Sequence, residues 1–321
     1  MLSQSDYQSL IEAEISHLAP KKHPDSLYEP IRYTLSGGGK RLRPVLVLSV
    51  CEAFGGVAAN AMNQALALEM FHNFTLLHDD VMDKADMRRG RVTVHRRWDD
   101  RTAILSGDAM LTLASQQMME KCDEDLIGPV LRLFNDTAMK IYEGQQLDLD
   151  FENRMDVTVE EYLEMIRLKT SVLLGCACAL GAIMARADRQ DVEAFYRYGE
   201  ALGLAFQLQD DLLDTFGDPI VFGKEIGGDI ANDKKTWLLI KSLSDDTTGV
   251  VRQEILHPSE TAEKIDRVKQ VYLALGLPEK CRSLIDLYVE KAIAELNSVK
   301  LSHPARDFFV QLADRTRTRT H

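Results

Sequence analysis

The sequence predicts an all-α protein, and three observations carry that expectation. Apolar residues recur at spacings of three and four along nearly every long segment of the 321-residue chain. Alternating stretches of strand type are few, the best being Arg91–Val94, which is short. The breaks between periodic segments carry helix-stop and turn residues: Gly37-Gly38-Gly39, Gly55-Gly56, Gly90, Gly217-Asp218-Pro219 and Gly227-Gly228. No Pro/Ser-rich linker and no repeat of solenoid length appears. Residues 1–321 therefore read as a single domain, a bundle of ten or more helices.

In chain order the periodicity predicts helices over Ser5–Leu18, Asp25–Leu35, Arg41–Phe54, Ala58–His78 running on to Asp83, and Arg101–Lys121. Further helices follow over Ile127–Asp150, Val159–Ala187, Arg189–Thr215, Ile230–Ser244, Glu260–Leu275, Glu279–Val299 and Pro304–Arg315. Thr158 with Glu161 fits a capping box. Val172–Met184 and Leu202–Leu208 are apolar almost all round, as helices in the middle of a bundle are. Their small residues either permit close helix approach or leave room for a cavity.

Composition narrows the function classes. Hydrophobic residues make up 45% of the chain, enough for one large core or two smaller domains. A net charge of −12 argues against nucleic acid or an anionic membrane surface as partner. No membrane span is expected, because no uninterrupted apolar run approaches the roughly 20 residues one needs. Met1–Ser16 lacks the basic-then-apolar layout of a signal. Cys51, Cys122, Cys176, Cys178 and Cys281 form no Cys-x-x-Cys pair. These features together suggest a reduced, soluble, cytoplasmic protein.

Two carboxylate clusters stand out, each at the C-terminal part of an apolar helix. The first is Leu76-Leu77-His78-Asp79-Asp80-Val81-Met82-Asp83. On a helix Asp79 and Asp83 share a face, about 6 Å apart at their Cβ atoms, where like charges repel. The bland reading is a solvated helix end. The second, Phe206-Gln207-Leu208-Gln209-Asp210-Asp211-Leu212-Leu213-Asp214, repeats the pattern. Two such clusters facing one another would make an oxygen-rich cage for a hard divalent ion, with Mg2+ the natural occupant. Neither a zinc-type Cys/His spacing nor a Gly-x-x-x-x-Gly-Lys loop is present.

Cations lie in short groups nearby in sequence. Gly37-Gly38-Gly39-Lys40-Arg41-Leu42-Arg43-Pro44 is a glycine turn followed by three cations at a helix start, where free N–H groups add to anion attraction. Arg88-Arg89-Gly90-Arg91 closely follows the first cluster, and paired arginines can fork onto phosphate oxygens. Lys169-Thr170 interrupts an apolar helix, where a lysine needs an anion. Lys224 and Lys234 lie in the Gly-rich loop and helix start after the second cluster, where either could be plain loop charge. His72 and His78 read first as core residues of an apolar helix; His78 adjoins Asp79 and could orient it.

These motifs, in this order and with Gly144-Gln145-Gln146-Leu147-Asp148-Leu149 and Gly223-Lys224-Glu225-Ile226-Gly227-Gly228-Asp229-Ile230, resemble the trans-isoprenyl diphosphate synthases over about Ile31–Lys241. The resemblance implies the isoprenoid synthase type I fold, a bundle around a central cavity with the two aspartate motifs facing across its mouth, and a homodimer. It implies Mg-dependent head-to-tail (1'-4) condensation of isopentenyl diphosphate with an allylic diphosphate, using on the order of three Mg2+ ions. By that resemblance Asp79, Asp83, Asp210 and Asp214 are metal ligands, Asp214 through water, while Asp80 and Asp211 orient neighbouring cations. Arg88, Lys169, Lys224 and Lys234 would bind the allylic diphosphate, and Lys40, Arg43, His72 and Arg89 isopentenyl diphosphate. Gln145 and Asp148 look like partners behind the first cluster, and Thr170 and Gln207 would turn dipoles toward the reacting carbons.

The resemblance also assigns Phe74 and Thr75 to chain length. Phe74 is five residues before Asp79, about 7.5 Å down the helix axis. A bulky aromatic there resembles short-chain enzymes, and the small Thr75 leaves room beyond the shortest products. The expected product is geranylgeranyl or farnesyl diphosphate, with geranylgeranyl favoured. The rivals are a class I terpene cyclase, whose second metal motif differs from Asp210-Asp211-x-x-Asp214, and a non-catalytic subunit, in which aspartates tend to be lost. The Arg315, Arg317, Arg319 tail either closes over a diphosphate or is solvated.

Overall fold

The periodic segments fold as helices throughout, apart from one two-stranded hairpin, in a computed structural model that describes residues 1–18, 21–218 and 226–318. The chain divides into two compact units, Met1–Asn135 with Ala177–Glu193, and Asp136–Cys176 with Ala194–His321.

The first unit holds α1 (Gln4–Leu18), α2 (Asp25–Leu35), α3 (Leu42–Ala53), a 3-10 turn Ala58–Ala61 and α4 (Met62–Met82). After it come strands β1 (Met87–Arg88) and β2 (Arg91–Val92), α5 (Val94–Arg97), α6 (Asp100–Met119) and the start of α7 (Glu124–Glu152). The core of this unit lies along α3, α4 and α6. In α4 Ala65, Leu66, Ala67, Leu68, Met70, Phe71 and Phe74 are all buried, so nearly the whole circumference of the helix is core. Among its buried polar residues, Gln64 donates to Met118 O at 3.0 Å while its Oε1 has no partner among the described residues, and Glu69 accepts from Arg41 and Asn73. At its far end Asp83 caps the helix, its N–H donating to Asp79 O at 2.8 Å.

The second unit continues α7 and adds α8 (Val159–Ile166), α9 (Val172–Met184, in its first turn), most of α10 (Arg189–Phe216), and α11 (Gly228–Ala231). It closes with α12 (Trp237–Asp245), α13 (Val250–Leu256), α14 (Thr261–Ala274), α15 (Leu277–Glu295) and α16 (His303–Thr318). Phe195, Tyr198 and Phe309 form an aromatic knot, and Tyr198 donates to Phe309 O at 2.8 Å. The capping box of Thr158 and Glu161 opens α8 as the sequence predicts.

Four expectations need correction. The helix expected over Ile230–Ser244 is two: α11 stops at Asn232, Asp233 takes a left-handed backbone with φ 52°, and Thr236 caps α12. The run Val159–Ala187 is interrupted by a π-helical turn at Arg167–Ser171. Val250–Leu256 forms a helix that periodicity missed, with Gly249 at its N-cap. Only Arg91–Val92 of Arg91–Val94 is strand. By length and composition Val159–Met184 would suffice to cross a membrane, but 78% of its most apolar stretch is buried in the protein, as for a core helix. Cys176, Cys178, Cys51 and Cys281 are buried free thiols.

Candidate active site

In the first unit the glycine turn, α3, α4 and the hairpin bring a group of cations together. Arg41 is not free to bind a ligand. It is buried, donating to Glu12 and Glu69 at 2.7 Å each and to Leu35 O at 3.1 Å. Two residues later Arg43 differs. Its Nη1 meets His72 Nε2 at 3.1 Å, and its buried Nε has no hydrogen-bond partner among the described residues. Burial pushes the Arg43 guanidinium down to about 10, against Glu69 and with Arg89. Burial first, then Arg43, Arg89 and Arg88, holds His72 well below its ordinary value, so it faces Arg43 as a neutral ring.

Arg89 completes the group by donating to Gly38 O. Gly39, at φ 146°, lies flush against this guanidinium: a Cβ there would sit 3.0 Å from Arg89 Nη1. The glycine turn is thus required both by its backbone angle and by the arginine beneath it. Arg88 points the other way, its Nε donating to Asp80 at 2.7 Å. Asp80 is raised from the usual carboxylate range by burial, which Arg88 opposes. A cavity of about 50 Å³ lies beside this pair, lined by Gly37, Asn73, Leu76, Arg88, Arg89 and Thr93 among others. Tyr33 anchors the hairpin next to it, with Arg91 3.9 Å and Arg97 4.5 Å from the ring centroid.

His78 does not turn toward Asp79. Its Nε2 is 3.1 Å from Ile104 O, and its ring meets Phe74 edge-on at 4.8 Å. Phe74 is buried against Phe71 as well, at 5.5 Å, and Thr75 donates back to His72 O at 2.8 Å.

In the second unit the π turn presents Lys169 and Thr170. Two helical glycines make room for it: a Cβ on Gly144 would collide with the Lys169 backbone, and one on Gly203 with Ser171 Cα. Lys169 binds Asp148 at 2.5 Å. Thr170 donates to Gln207 Oε1 at 3.2 Å, and Gln207 Nε2 donates to Asp211 at 3.0 Å. Tyr162 donates to the other oxygen of Asp211. Asp211 fixes Gln207 and Tyr162 by hydrogen bond and acts on the neighbouring cation Lys234 through its field. Burial raises its carboxyl to about 7, opposed by the field of Lys234.

Asp214 accepts from Asp229 N at 2.9 Å, and Lys234 reaches Asp229 at 3.3 Å. Burial works against the Lys234 charge, but Asp229, Asp211 and Asp148 outweigh it and hold the ammonium above its usual range. Lys224 lies outside the described residues, as does Arg319. Arg317 is spent on Asp286, Glu290 and Asp314.

Comparison with known proteins decides what this assembly of charges belongs to. Residues 24–275 match the family model described as polyprenyl synthetase. The chain belongs to the polyprenyl synthetase family. It is a prenyltransferase. A crystal structure of a geranylgeranyl pyrophosphate synthase matches with a TM-score of 0.95 at 42% identity, covering 100% of both chains. The geranylgeranyl diphosphate synthase of Methanosarcina mazei is 35% identical over 95% of this chain and 94% of its own. The geranylfarnesyl diphosphate synthase of Natronomonas pharaonis is 34% identical over 91% and 93%.

Of the residues that order these charges, sequence reasoning missed Glu69, Tyr162 and Asp229. Glu69 lies within an apolar helix and Tyr162 on the buried face of an amphipathic one, neither with a local signal. Asp229 stood in the Gly227-Gly228-Asp229 string and could have been found as a carboxylate at a glycine turn.

Proposed function

We propose that this prenyltransferase joins isopentenyl diphosphate head to tail to an allylic diphosphate and releases a short all-trans prenyl diphosphate, geranylgeranyl in preference to farnesyl. The observation that carries the reading is Arg43, a half-buried guanidinium with a bare Nε whose hydrogen-bond partner among the described residues is the neutral His72, while Glu69 acts on it through its field and makes no hydrogen bond to it among the described residues. A buried cation without a carboxylate in direct contact costs stability unless an anion arrives. An anion subsite apart from the carboxylate motifs is what a reaction of two diphosphates needs. A cyclase, with one diphosphate, has no use for it.

Isopentenyl diphosphate would be held by Lys40, Arg43, His72 and Arg89. The allylic diphosphate would be met by Arg88, Lys169 and Lys234, with Lys224 assigned from sequence alone. Each of the three described allylic-side cations is aimed by a carboxylate, Asp80, Asp148 and Asp229 respectively. Asp79, Asp83, Asp210 and Asp214 would hold Mg2+. The donor chemistry fits: the Asp214 carboxyl is raised to about 6 by burial and by Asp229 and Asp210, a repulsion that a divalent cation relieves. Among the described residues no three potential ligands form a closed cage, which suits an ion that completes its shell with water and phosphate. When bound, Mg2+ neutralises charge on the leaving diphosphate.

The allylic C–O bond breaks with its electron pair leaving on the diphosphate, where Arg88, Lys169 and Lys234 receive the developing charge. The double bond of isopentenyl diphosphate attacks the allylic cation, forming the new carbon–carbon bond. The proton then lost goes to the departed diphosphate. Thr170 and Asp211 lock the Gln207 amide in one orientation, so that its dipole is fixed before the cation forms. Phe74 would end the tail pocket. The reading includes a cytoplasmic homodimer, checked by light scattering.

Incubating the purified chain with isopentenyl diphosphate and each of dimethylallyl, geranyl and farnesyl diphosphate tests all of this. Linear geranylgeranyl diphosphate is the expected product. A cyclised hydrocarbon would favour the cyclase, and no turnover with any primer would favour a non-catalytic subunit.

A further inference from the structure

We propose that Lys264, on α14, is a positioning residue for the allylic-diphosphate half of the site. It pins the turn at Ala231–Asp233 and thereby sets Lys234 and Asp229; this rests on the reading of Lys234 and Asp214 given above. Lys264 is 4% exposed. A lysine that deep persists only where its ammonium is paired and hydrogen-bonded. Its partners are Asp233 Oδ1 at 2.8 Å and Ala231 O at 3.3 Å.

Both belong to the left-handed turn that ends α11. Asp233, with φ 52°, holds a backbone conformation that non-glycine residues adopt only when their surroundings enforce it. Directly after this turn, Lys234 N donates to Asp229 O at 2.9 Å and its ammonium reaches the Asp229 carboxylate. Asp229 N in turn donates to Asp214. The neighbouring Ile265 grips the other end of the segment, where a Cβ on Gly227 would lie 2.8 Å from its Cγ2. Lys235 braces the turn by donating to Asp233 O at 3.0 Å and Glu152 O at 3.3 Å. One helix with no motif of its own thus holds both ends of the short segment from Gly227 to Asp233 that leads into Lys234.

The test compares Lys264→Met, Lys264→Arg and Asp233→Asn with wild type. The readouts are Mg2+-dependent binding of inorganic pyrophosphate by titration calorimetry and the KM of each substrate. Lys264→Met is expected to weaken pyrophosphate binding and raise the allylic KM by about tenfold or more, the usual effect of removing a support behind a metal or anion group. The isopentenyl diphosphate KM stays within about twofold, since its residues share no partner with this turn. Lys264→Arg restores most of the loss, Asp233→Asn reproduces it, and the double variant is no worse than either. Unchanged pyrophosphate binding, or a parallel rise in both KM values, overturns the proposal. If Lys264→Met does not fold, Asp233→Asn breaks the same pair from the more exposed side and decides alone. A wild type that binds Mg2+ and pyrophosphate but never condenses its substrates refutes the proposed reaction and leaves this comparison intact; one that binds neither overturns both.

Discussion

Replacing Phe74 by alanine asks where the growing chain stops. Phe74 sits on α4 five residues ahead of Asp79, about 7.5 Å along the axis. It is 5% exposed, with ring centroids 5.5 Å from Phe71 and 4.8 Å from His78, and Phe71 lies 5.2 Å from Phe134. Truncation removes one ring from a filled aromatic cluster, at a cost of about 3–5 kcal/mol. For units of this size each kcal/mol lowers the melting temperature by about 2–4 °C, so a fall on the order of 6–20 °C is expected. The space left behind is apolar, and such cavities accept apolar guests. The end of a prenyl tail is that guest, so the product lengthens by at least one isoprene unit. Chromatography of extracted products made from farnesyl diphosphate reads the length, and a melting curve reads the packing cost. A lower melting temperature with unchanged product length would refute the reasoning and leave Phe74 as core alone.

Three further substitutions separate the other parts of the site. Gly39→Ala places a methyl 3.0 Å from Arg89 Nη1 at a φ of 146°, costing about 1–3 kcal/mol in backbone strain; it raises the KM for isopentenyl diphosphate and spares the allylic KM. Asp83→Ala, on an exposed helix end, leaves the melting temperature unchanged, raises the Mg2+ concentration for half-maximal rate, and lowers kcat by about 10²–10³. His72→Gln tests acid stability without substrate. The folded ring is held well below 6.5, so the unfolded chain takes up more protons there; this residue's contribution to stability is present above pH 6.5 and is lost as pH falls below it. The variant should show a shallower fall in melting temperature over that range, and an acid limb as steep as wild type would count against the buried neutral imidazole.

Much of the molecule is legible in the sequence because helix period and stop signals act locally. Asp25–Leu35 was bounded to the residue, and the capping box at Thr158 is an element of sequence and structure alike. What failed was set by tertiary packing. The π turn at Arg167–Ser171 has no signature in its own residues. It exists where Gly144 on α7 and Gly203 on α10 leave space for a bulged backbone, and those glycines are distant in sequence. The break at Asp233 likewise depends on Lys264 and Lys235, which hold a left-handed aspartate that propensity alone would place in a continuing helix. Of the candidate site, residue types and motif order were readable, but the partner of each charge was not.

That last distinction separates two kinds of cation in one acidic chain. With 50 carboxylate residues against 38 lysines and arginines, counter-charges are in excess, so a cation lacking one reflects placement rather than scarcity. Arg41 and Arg43 share a helix start and look alike in sequence. Arg41 is consumed by Glu12 and Glu69 and serves the fold, whereas Arg43 meets a neutral histidine and keeps its Nε bare. Arg88 and Arg89 are adjacent and divide in the same way: Arg88 takes Asp80, and Arg89, among the described residues, donates to the Gly38 carbonyl. Paired cations are pre-aimed and can share their field with a metal-bound diphosphate, at the cost of a weaker bare attraction. Unpaired ones attract a diphosphate that brings no metal. The second arrangement suits isopentenyl diphosphate, which must bind intact and keep its own C–O bond. The first suits the allylic partner, whose C–O bond must break. Exchanging the two environments, for instance by giving Arg43 a carboxylate through His72→Asp, should therefore weaken isopentenyl diphosphate binding while leaving allylic ionisation in place.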